Sequence, residues 1–145
     1  MRNRSGPAWQ PGGYCIYKYG GSCPAAFTEG WIYWDDEDTN NQNSKSGTLP
    51  SGSYGYKDNT EYMFCCRSDG VTDQAIFLPT DDNFYLFSQF ENCQTVNGMT
   101  VSKEWFYWDT EDHNNSDRMS SVHPYQGVYS NGKNVNLNFC YYQKE

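Results

Sequence analysis

The chain has 145 residues, the size of one domain, and its 18 acidic against 10 basic residues give a formal net charge of −8. Such a charge repels phosphate backbones and anionic lipid surfaces, so we expect no nucleic-acid partner. The sequence holds no apolar run of about 18 residues, the length that would predict a transmembrane segment.

The N-terminal residues 1–11 lack the apolar stretch of a signal peptide. We interpret them as a disordered or artificial tail on a domain cut from a secreted precursor. Residues 12–145 are expected to form a single domain. Its core must be built largely from aromatic rings, because the chain is 18% aromatic and poor in leucine, isoleucine and valine.

Short aromatic or β-branched segments follow one another along the chain, separated by clusters of Gly, Pro, Asn, Asp and Ser. This pattern is typical of strands and turns. In the last segment, Val135, Leu137 and Phe139 alternate with Asn136, Asn138 and Cys140, which predicts a half-buried strand. No segment keeps a helical period for three turns, and at most a short helical turn is expected at CPAAF. The predicted strands are YCIYKY, WIYW, EYMFCCR, AIFL, FYLFSQF, WFYW, QGVYS and VNLNFCYY.

A motif occurs twice: WIYWDDEDTNN at 31–41 returns as WFYWDTEDHNN at 105–115, a step of 74 residues. A step of 75 residues takes Phe64 and Cys65 to Phe139 and Cys140. The sequence therefore predicts a duplicated half, with repeats at about 12–70 and 71–145. We expect an all-β fold, a disulfide-stabilised antiparallel β-sandwich or barrel with internal pseudo-twofold duplication and long loops.

The six cysteines are predicted to form disulfides, because their number is even and the chain lacks the CxxC pairs of a zinc site. Disulfides indicate an oxidising, extracellular location. Cys65 and Cys66 are neighbours on a strand and point to opposite faces, so they should bond to different partners. Equivalence of the two halves favours the pairs Cys23–Cys65, Cys93–Cys140 and Cys15–Cys66, one choice among about 15 pairings.

The second part of each motif is dense in oxygen-bearing side chains. Three roles are open to them: capping turns, binding calcium, or contacting a ligand. Calcium would offset the repulsion among the acids, although the spacing lacks the mid-loop glycine and the distant glutamate of an EF-hand. The candidate calcium ligands are Asp35, Glu37, Asp38 and Asn40 in the first copy and Asp109, Glu111, Asp112 and Asn114 in the second.

The aromatic part of each motif has two faces. Trp31 and Tyr33 share one face of a strand, while Trp34 lies on the other. One face is expected to pack in the core, and at least two of the four motif tryptophans are predicted core residues. A tryptophan ring exposed beside carboxylates and amides is an arrangement that proteins use to hold sugars.

We expect no enzymatic activity. His113 and His123 occur only in the second half, and neither accompanies a nucleophile motif. Paired carboxylates can hydrolyse a glycosidic bond, but one active site needs an acid and a base in distinct environments. These acids instead recur in both halves.

The combination of CPAAFTEGWIYWDDEDTNN, LPSGSY, FCCRSDG, AIFLP, CQTVNGM, WDTEDHNN and FCYY resembles the apextrin C-terminal (ApeC) domain family from about Gly12 to Tyr142. Members of that family are secreted invertebrate proteins associated with innate immunity and with recognition of bacterial cell wall, notably peptidoglycan and its muramyl dipeptide unit. The resemblance implies a pattern-recognition module whose partner is a bacterial cell-wall glycan. Because some members follow a perforin-like domain, it leaves open a fusion to or an association with a pore-forming domain.

Two other functions stay open: a calcium-dependent lectin-like module for other glycans, and a structural or adhesive protein of the extracellular matrix. Arg67 and Asp69 match the family motif FCCRSDG, and a clamp between these two side chains across a turn ended by Gly70 competes with a binding role. The candidate ligand-binding residues are Trp31, Trp34, Asp35, Glu37, Asp38, Asn40, Arg67, Asp69, Trp105 and Trp108.

Overall fold

The computed structural model describes residues 9–36, 44–54, 59–110, 114–126 and 135–145. Within these ranges the chain forms strands and no helix, so the expected all-β class is confirmed. No helix long and apolar enough to span a membrane occurs in these ranges. The strands are β1 (Gly13–Tyr17), β2 (Thr28–Trp34), β3 (Gly52–Tyr54), β4 (Thr60–Ser68), β5 (Phe84–Ser88), β6 (Met99–Trp108), β7 (Arg118–Met119) and β8 (Val135–Lys144).

Three local predictions differ from the structure. The segment AIFL forms no strand, because Ile76 makes only an isolated bridge to Val96. CPAAF forms a turn in which Phe27 N donates to Pro24 O, and the positive φ of Ala26 (72°) is incompatible with a helix. In the predicted strand QGVYS, residues 127–130 lie outside the described residues.

All strand pairs are antiparallel and belong to one sheet, in the order β6-β8-β5-β1-β4-β2-β7, with β3 paired to β4. In a flat sheet β6 and β2 would lie roughly 24 Å apart, at about 4.8 Å for each inter-strand step. However, the ring centroids of Trp34 on β2 and Trp108 on β6 are only 5.3 Å apart. The sheet is therefore strongly curled. The sheet is not closed, so the barrel alternative is wrong for the described strands. The two ends of the curled sheet instead face each other, as the two sheets of a sandwich do.

The strand order is symmetric about the contact between β1 and β5. The series β1-β4-β2 on one side of this contact corresponds to β5-β8-β6 on the other. Trp31 lies opposite Met63, and Trp105 lies opposite Asn138. Trp31 and Trp105 are 74 residues apart, the step between the two motifs, and Met63 and Asn138 are 75 apart, the step between the two Phe-Cys pairs. This register agrees with a duplicated half, and the duplication itself stays a prediction.

We call the sheet face that carries Trp34 and Trp108 the concave face, since these rings meet across the curl, and the other face the convex face. Each face has its own core. The convex cluster includes Ile76 and Val96, which cover this face from the segment between β4 and β6. β8 is consequently buried on both faces, with Asn138 5% and Cys140 0% exposed, so the prediction of a half-buried strand was wrong. The concave core contains Cys15, Ile32, Trp34, Phe64, Cys66, Val135 and Leu137.

Three disulfides fasten the sheet. Cys15 and Cys66 are directly opposite on β1 and β4 and bond on the concave face. Cys65 points to the convex face, where it bonds to a residue ahead of β2. The pairs are Cys15–Cys66, Cys23–Cys65 and Cys93–Cys140, which are the three pairs that the equivalence of the halves favours.

Part of the predicted tail packs on the domain. The Trp9 ring lies 5.7 Å from the Phe27 ring, and Trp9 O accepts a hydrogen bond from Arg67 Nη1 at 2.7 Å. Gln10 Oε1 accepts one from Phe77 N at 2.7 Å. Trp9 and Gln10 thus belong to the folded domain, whereas residues 1–8 lie outside the described residues.

Candidate ligand-binding cleft

The two motif copies meet through the tryptophan that ends each WxYW strand. Trp34 is 2% exposed and Trp108 is half-buried, and their rings meet edge to face at 5.3 Å. Tyr62 on β4 contacts Trp34 from the other side, at 5.1 Å between centroids. Such edge-to-face pairs stabilise by about 1 kcal/mol beyond the area that they bury. The curl of the sheet thus gathers aromatic rings from both halves at one point.

A cavity of about 720 Å³ opens beside these rings. This volume lies in the range of about 300–1,000 Å³ that is usual for small-molecule sites. Its walls combine flat rings with hydroxyl groups, one carboxylate and one ammonium. The lining residues include Trp34, Asp36, Lys45, Tyr54, Thr60, Tyr62 and Trp108.

A second cavity, of about 480 Å³, adjoins the first one. Tyr62 and Trp108 line both cavities, so the two lie side by side on the concave face. The second cavity is mostly apolar, with Tyr17, Phe87 and Phe106 among its rings. We call the two cavities together the aromatic cleft.

The polar side of the aromatic cleft is held by hydrogen bonds. Asp36 Oδ2 accepts a bond from Thr60 Oγ1 at 2.8 Å, and Asp36 N donates to Asn59 Oδ1 at 2.8 Å. Lys45 Nζ lies 5.6 Å from the centroid of the Tyr54 ring. These contacts fix a carboxylate and a cation at the rim of an aromatic surface, a combination that recognises polar ligands with apolar faces.

Burial disfavours ionisation of the cleft tyrosines. It raises the pKa of Tyr54 to about 12, with smaller contributions from the neighbouring Tyr62 and Tyr17. It also raises the pKa of Tyr62, to which the nearby charge of Asp36 adds. The Tyr54 hydroxyl donates to Pro50 O at 2.7 Å. Near neutral pH, well below the ordinary tyrosine pKa of about 10, these side chains offer a neutral hydroxyl and an uncharged ring to a ligand.

Asp35, a predicted binding residue, is buried outside the cleft lining. Its Oδ2 accepts a hydrogen bond from Ser116 N at 2.6 Å, and its own N–H donates to Asp117 Oδ1 at 2.7 Å. Thr110 Oγ1 donates to the other oxygen of Asp117. Asp35 thus ties the end of the first motif to the segment that follows the second motif. This is a structural role, the acceptance of a backbone N–H bond from a segment distant along the chain.

Arg67 and Asp69 form the clamp that competes with a binding role for these two side chains. Arg67 Nε and Nη2 bond to the two carboxylate oxygens of Asp69 at 3.1 and 2.6 Å. The hydrogen bonds with Arg67 lower the pKa of Asp69, and those with Asp69 raise the pKa of Arg67. A Cβ at Gly70 would lie 2.6 Å from Gly12 N, so only glycine allows the two backbones to meet there. Neither side chain lines the aromatic cleft.

The other two motif tryptophans point to the convex face. Trp31 is half-buried, and Trp105 is 61% exposed. Of the predicted ligand-binding residues, the structure therefore places Trp34 and Trp108 in the aromatic cleft. Three others, Glu37, Asp38 and Asn40, lie outside the described residues.

The calcium prediction concerns residues that are largely beyond the described part of the chain. Asp35 directs its carboxylate to a backbone N–H, and Asp109 and Asn114 are exposed. In the described ranges no three His, Cys, Asp or Glu side chains are grouped so as to hold a metal ion. Glu37, Asp38, Asn40, Glu111 and Asp112 lie outside these ranges.

Sequence reasoning missed Asp36, Lys45, Tyr54 and Tyr62 as cleft residues. A signal for Tyr62 was present, because it shares a strand face with Phe64 and precedes the double cysteine. Tyr54 lies in the SGSYG segment, whose Gly and Tyr recur as Gly127 and Tyr129 in the second half. Lys45 carries no pattern in the sequence, since only the curl of the sheet brings its loop to the rings.

Comparison with known proteins places this architecture in a family. No curated protein and no solved structure matches the chain. The family model for the C-terminal domain of apextrin, ApeC, matches residues 1–142. The three disulfides fit an extracellular domain of this kind. Because the match covers nearly all of its 145 residues, the chain belongs to the ApeC domain family.

Proposed function

We propose that the chain is an extracellular pattern-recognition module that binds bacterial cell-wall glycan, peptidoglycan or its muramyl dipeptide unit, without catalysing a reaction. Membership of the ApeC family supports an apextrin-like extracellular role. The observation that carries the proposal is the aromatic cleft, where Trp34, Tyr54, Tyr62 and Trp108 surround a cavity of about 720 Å³.

The cleft chemistry suits an amino sugar that carries a peptide. The C–H face of a pyranose ring packs against an aromatic ring, while its hydroxyl groups bond to polar side chains. Asp36 and Thr60 supply such groups. A muramyl peptide also bears carboxylates, and Lys45 is the one basic side chain among the described residues that line the cavity. Lys45 is therefore the proposed partner of the peptide carboxylate.

Two tryptophans of one strand provide a matched test. Trp108 lines the cleft on the concave face, while Trp105 is exposed on the convex face. We expect Trp108→Ala to weaken binding of soluble muramyl dipeptide at least about tenfold, which is the loss of about 1.4 kcal/mol of binding free energy. Trp105→Ala should bind within about twofold of the wild type. Isothermal titration with the folded variants, verified by circular dichroism, measures both constants.

Lys45→Glu tests the carboxylate contact separately. It should weaken binding of muramyl dipeptide more than binding of a neutral glycan fragment without the peptide, because only the former brings a negative charge to residue 45. Equal losses for the two ligands would refute the role given to Lys45.

The same titrations separate the alternative functions. Binding to other glycans that disappears when calcium is chelated would replace the proposal by a calcium-dependent lectin and would assign the motif acids to the metal. If the chain binds no glycan and its copies associate with one another on titration, a structural or adhesive role would be favoured. Equal affinities of the two tryptophan variants would show that the aromatic cleft is not the binding site.

A further inference from the structure

The second cavity of the aromatic cleft contains one charged group. Of the described residues that line this cavity of about 480 Å³, Glu104 is the only one with a charge. Glu104 lies on β6, where it shares the concave face with Phe106 and is opposite Phe139 on β8. It is half-buried. The fold therefore holds a carboxylate against aromatic rings, where it has lost part of its water.

Within the described residues, no lysine or arginine pairs with the Glu104 carboxylate. The ion pairs that these residues form involve other acids. Lys103 is next along β6, but it points to the convex face, where its Nζ donates to Glu91 O at 2.6 Å. No described donor forms a hydrogen bond with the Glu104 carboxylate either. Partial burial of an unpaired carboxylate is unfavourable, and a bound cation would offset this cost.

Aromatic rings with open surface surround this carboxylate. Phe106 is 57% exposed and Tyr85 is 56% exposed. Both rings pack on Phe139, at 5.3 and 5.4 Å between centroids, so the three rings form one apolar wall. Desolvation raises the pKa of Tyr85, and the charge of Glu104 adds to this rise, which indicates that the carboxylate lies near the Tyr85 hydroxyl. Carboxylates and ring faces both attract cations.

We propose that the second cavity is a binding site for an alkylammonium group, with Glu104 as its anionic partner and Tyr85 and Phe106 as its aromatic contacts. An organic cation suits the site better than a metal ion. Calcium and magnesium need several oxygen ligands, and no three acids are grouped in the described part of the chain. An alkyl chain that carries an amine packs its methylene groups on apolar surface and brings its charged end to a carboxylate.

The ligand that fits this chemistry is the amine-bearing side chain of a basic residue in a cell-wall peptide, a choice that rests on the proposed function. Tyr62 and Trp108 line both cavities, so a peptide attached to a sugar in the first cavity reaches the second one directly. Cell-wall peptides of bacteria contain an amino acid with a side-chain amine. Where that amine is free, it is positively charged near neutral pH. The ammonium site thus extends recognition from the sugar to the peptide.

Two ligands that differ in one charge test the ammonium site. The first is a muramyl tripeptide whose third residue is lysine, and the second is the same molecule with the lysine side-chain amine acetylated. In isothermal titration, the wild type should bind the free-amine ligand at least about tenfold more tightly, as expected for a charge-assisted contact. Glu104→Gln keeps the size of the side chain and removes its charge. It should bind the two ligands with constants that agree within about twofold.

Two further variants separate the site from general effects of charge and of apolar surface. Asp73→Asn removes one negative charge at an exposed position that is not among the residues lining the cleft, and it should keep the tenfold preference. Phe106→Leu keeps an apolar side chain but removes the ring. It should reduce the preference by about threefold, which is the size of a cation–π contact at an exposed site.

Equal constants for the two tripeptides in the wild type, or a preference that Glu104→Gln retains, would overturn the ammonium site. The wild-type comparison decides even if a variant does not fold. Binding of muramyl dipeptide tests the proposed function separately, because that ligand carries no amine.

If no muramyl ligand binds, a titration with Nα-acetyl-lysine methylamide, followed by NMR, decides whether the site exists. Shifts of β6 resonances that disappear in Glu104→Gln would support an ammonium site and would replace the cell-wall peptide by a lysine of a protein partner. Absence of these shifts would refute the site.

Discussion

The buried carboxylate of Asp35 offers a direct test of how the two motif copies differ. Asp35 and Asp109 occupy the same motif position, and the sequence treats them as equivalent. In the structure Asp35 is 6% exposed and accepts a hydrogen bond from Ser116 N at 2.6 Å, whereas Asp109 is exposed. Alanine at the two positions should therefore have very different costs.

Asp35→Ala removes the charged acceptor of this bond and leaves the partly buried N–H of Ser116 without its hydrogen-bond acceptor. The loss of such a bond costs about 2 kcal/mol of the free energy of unfolding. For a chain of this length that corresponds to a melting temperature lower by roughly 6 °C. Asp109→Ala should lie within about 0.5 kcal/mol of the wild type, as is usual for exposed positions.

Urea unfolding of the oxidised protein, followed by tryptophan fluorescence, measures both free energies. Equal costs for the two variants would refute the structural role of the Asp35 carboxylate. The same conclusion would follow if Asp35→Ala kept full stability but abolished glycan binding, because Asp35 would then contact the ligand.

Two further predictions concern packing and ionisation. Gly30→Ala should lower the free energy of unfolding in urea by about 2 kcal/mol or more, because a Cβ there would lie 1.9 Å from Val122 O. Gly21→Ala is the control and should change this free energy little, because the space around Gly21 is open. Equal losses of stability in the two variants would contradict the close approach at Gly30. Burial raises the pKa of Tyr17 and of Tyr54 to about 12, above the value near 10 expected in the unfolded chain. Their contribution to stability is complete below about pH 10 and is lost as the pH rises towards 12, because the unfolded chain then releases protons that the folded chain retains. A spectrophotometric titration in which these tyrosines ionise near pH 10 in the folded protein would exclude the buried environment.

The fold class could be predicted because it depends on local patterns. Short aromatic segments between turn residues predicted an all-β chain, and neighbouring cysteines on one strand had to bond on opposite faces. β8 shows the limit of this reasoning. Its alternation suggested one wet face, but Asn138 is 5% exposed because a distant segment covers it and accepts its amide protons at Tyr125 O. An alternating pattern shows which side chains are polar. It does not show which are buried, because burial depends on the segments that pack against the strand.

The sequence by itself determined that this is an aromatic, disulfide-bonded β protein with two related motifs and a family resemblance at those motifs. Only the tertiary structure decided which of the repeated motif residues line the aromatic cleft and which lie elsewhere. Trp34 and Trp108 are brought together by the curl of the sheet, while Trp31 and Trp105 face the other way. Lys45, Tyr54 and Tyr62 join the cleft from separate segments. The physical reason is that a repeated sequence fixes local conformation equally in both halves, whereas burial, hydrogen-bond partners and cavities arise between strands that are distant along the chain.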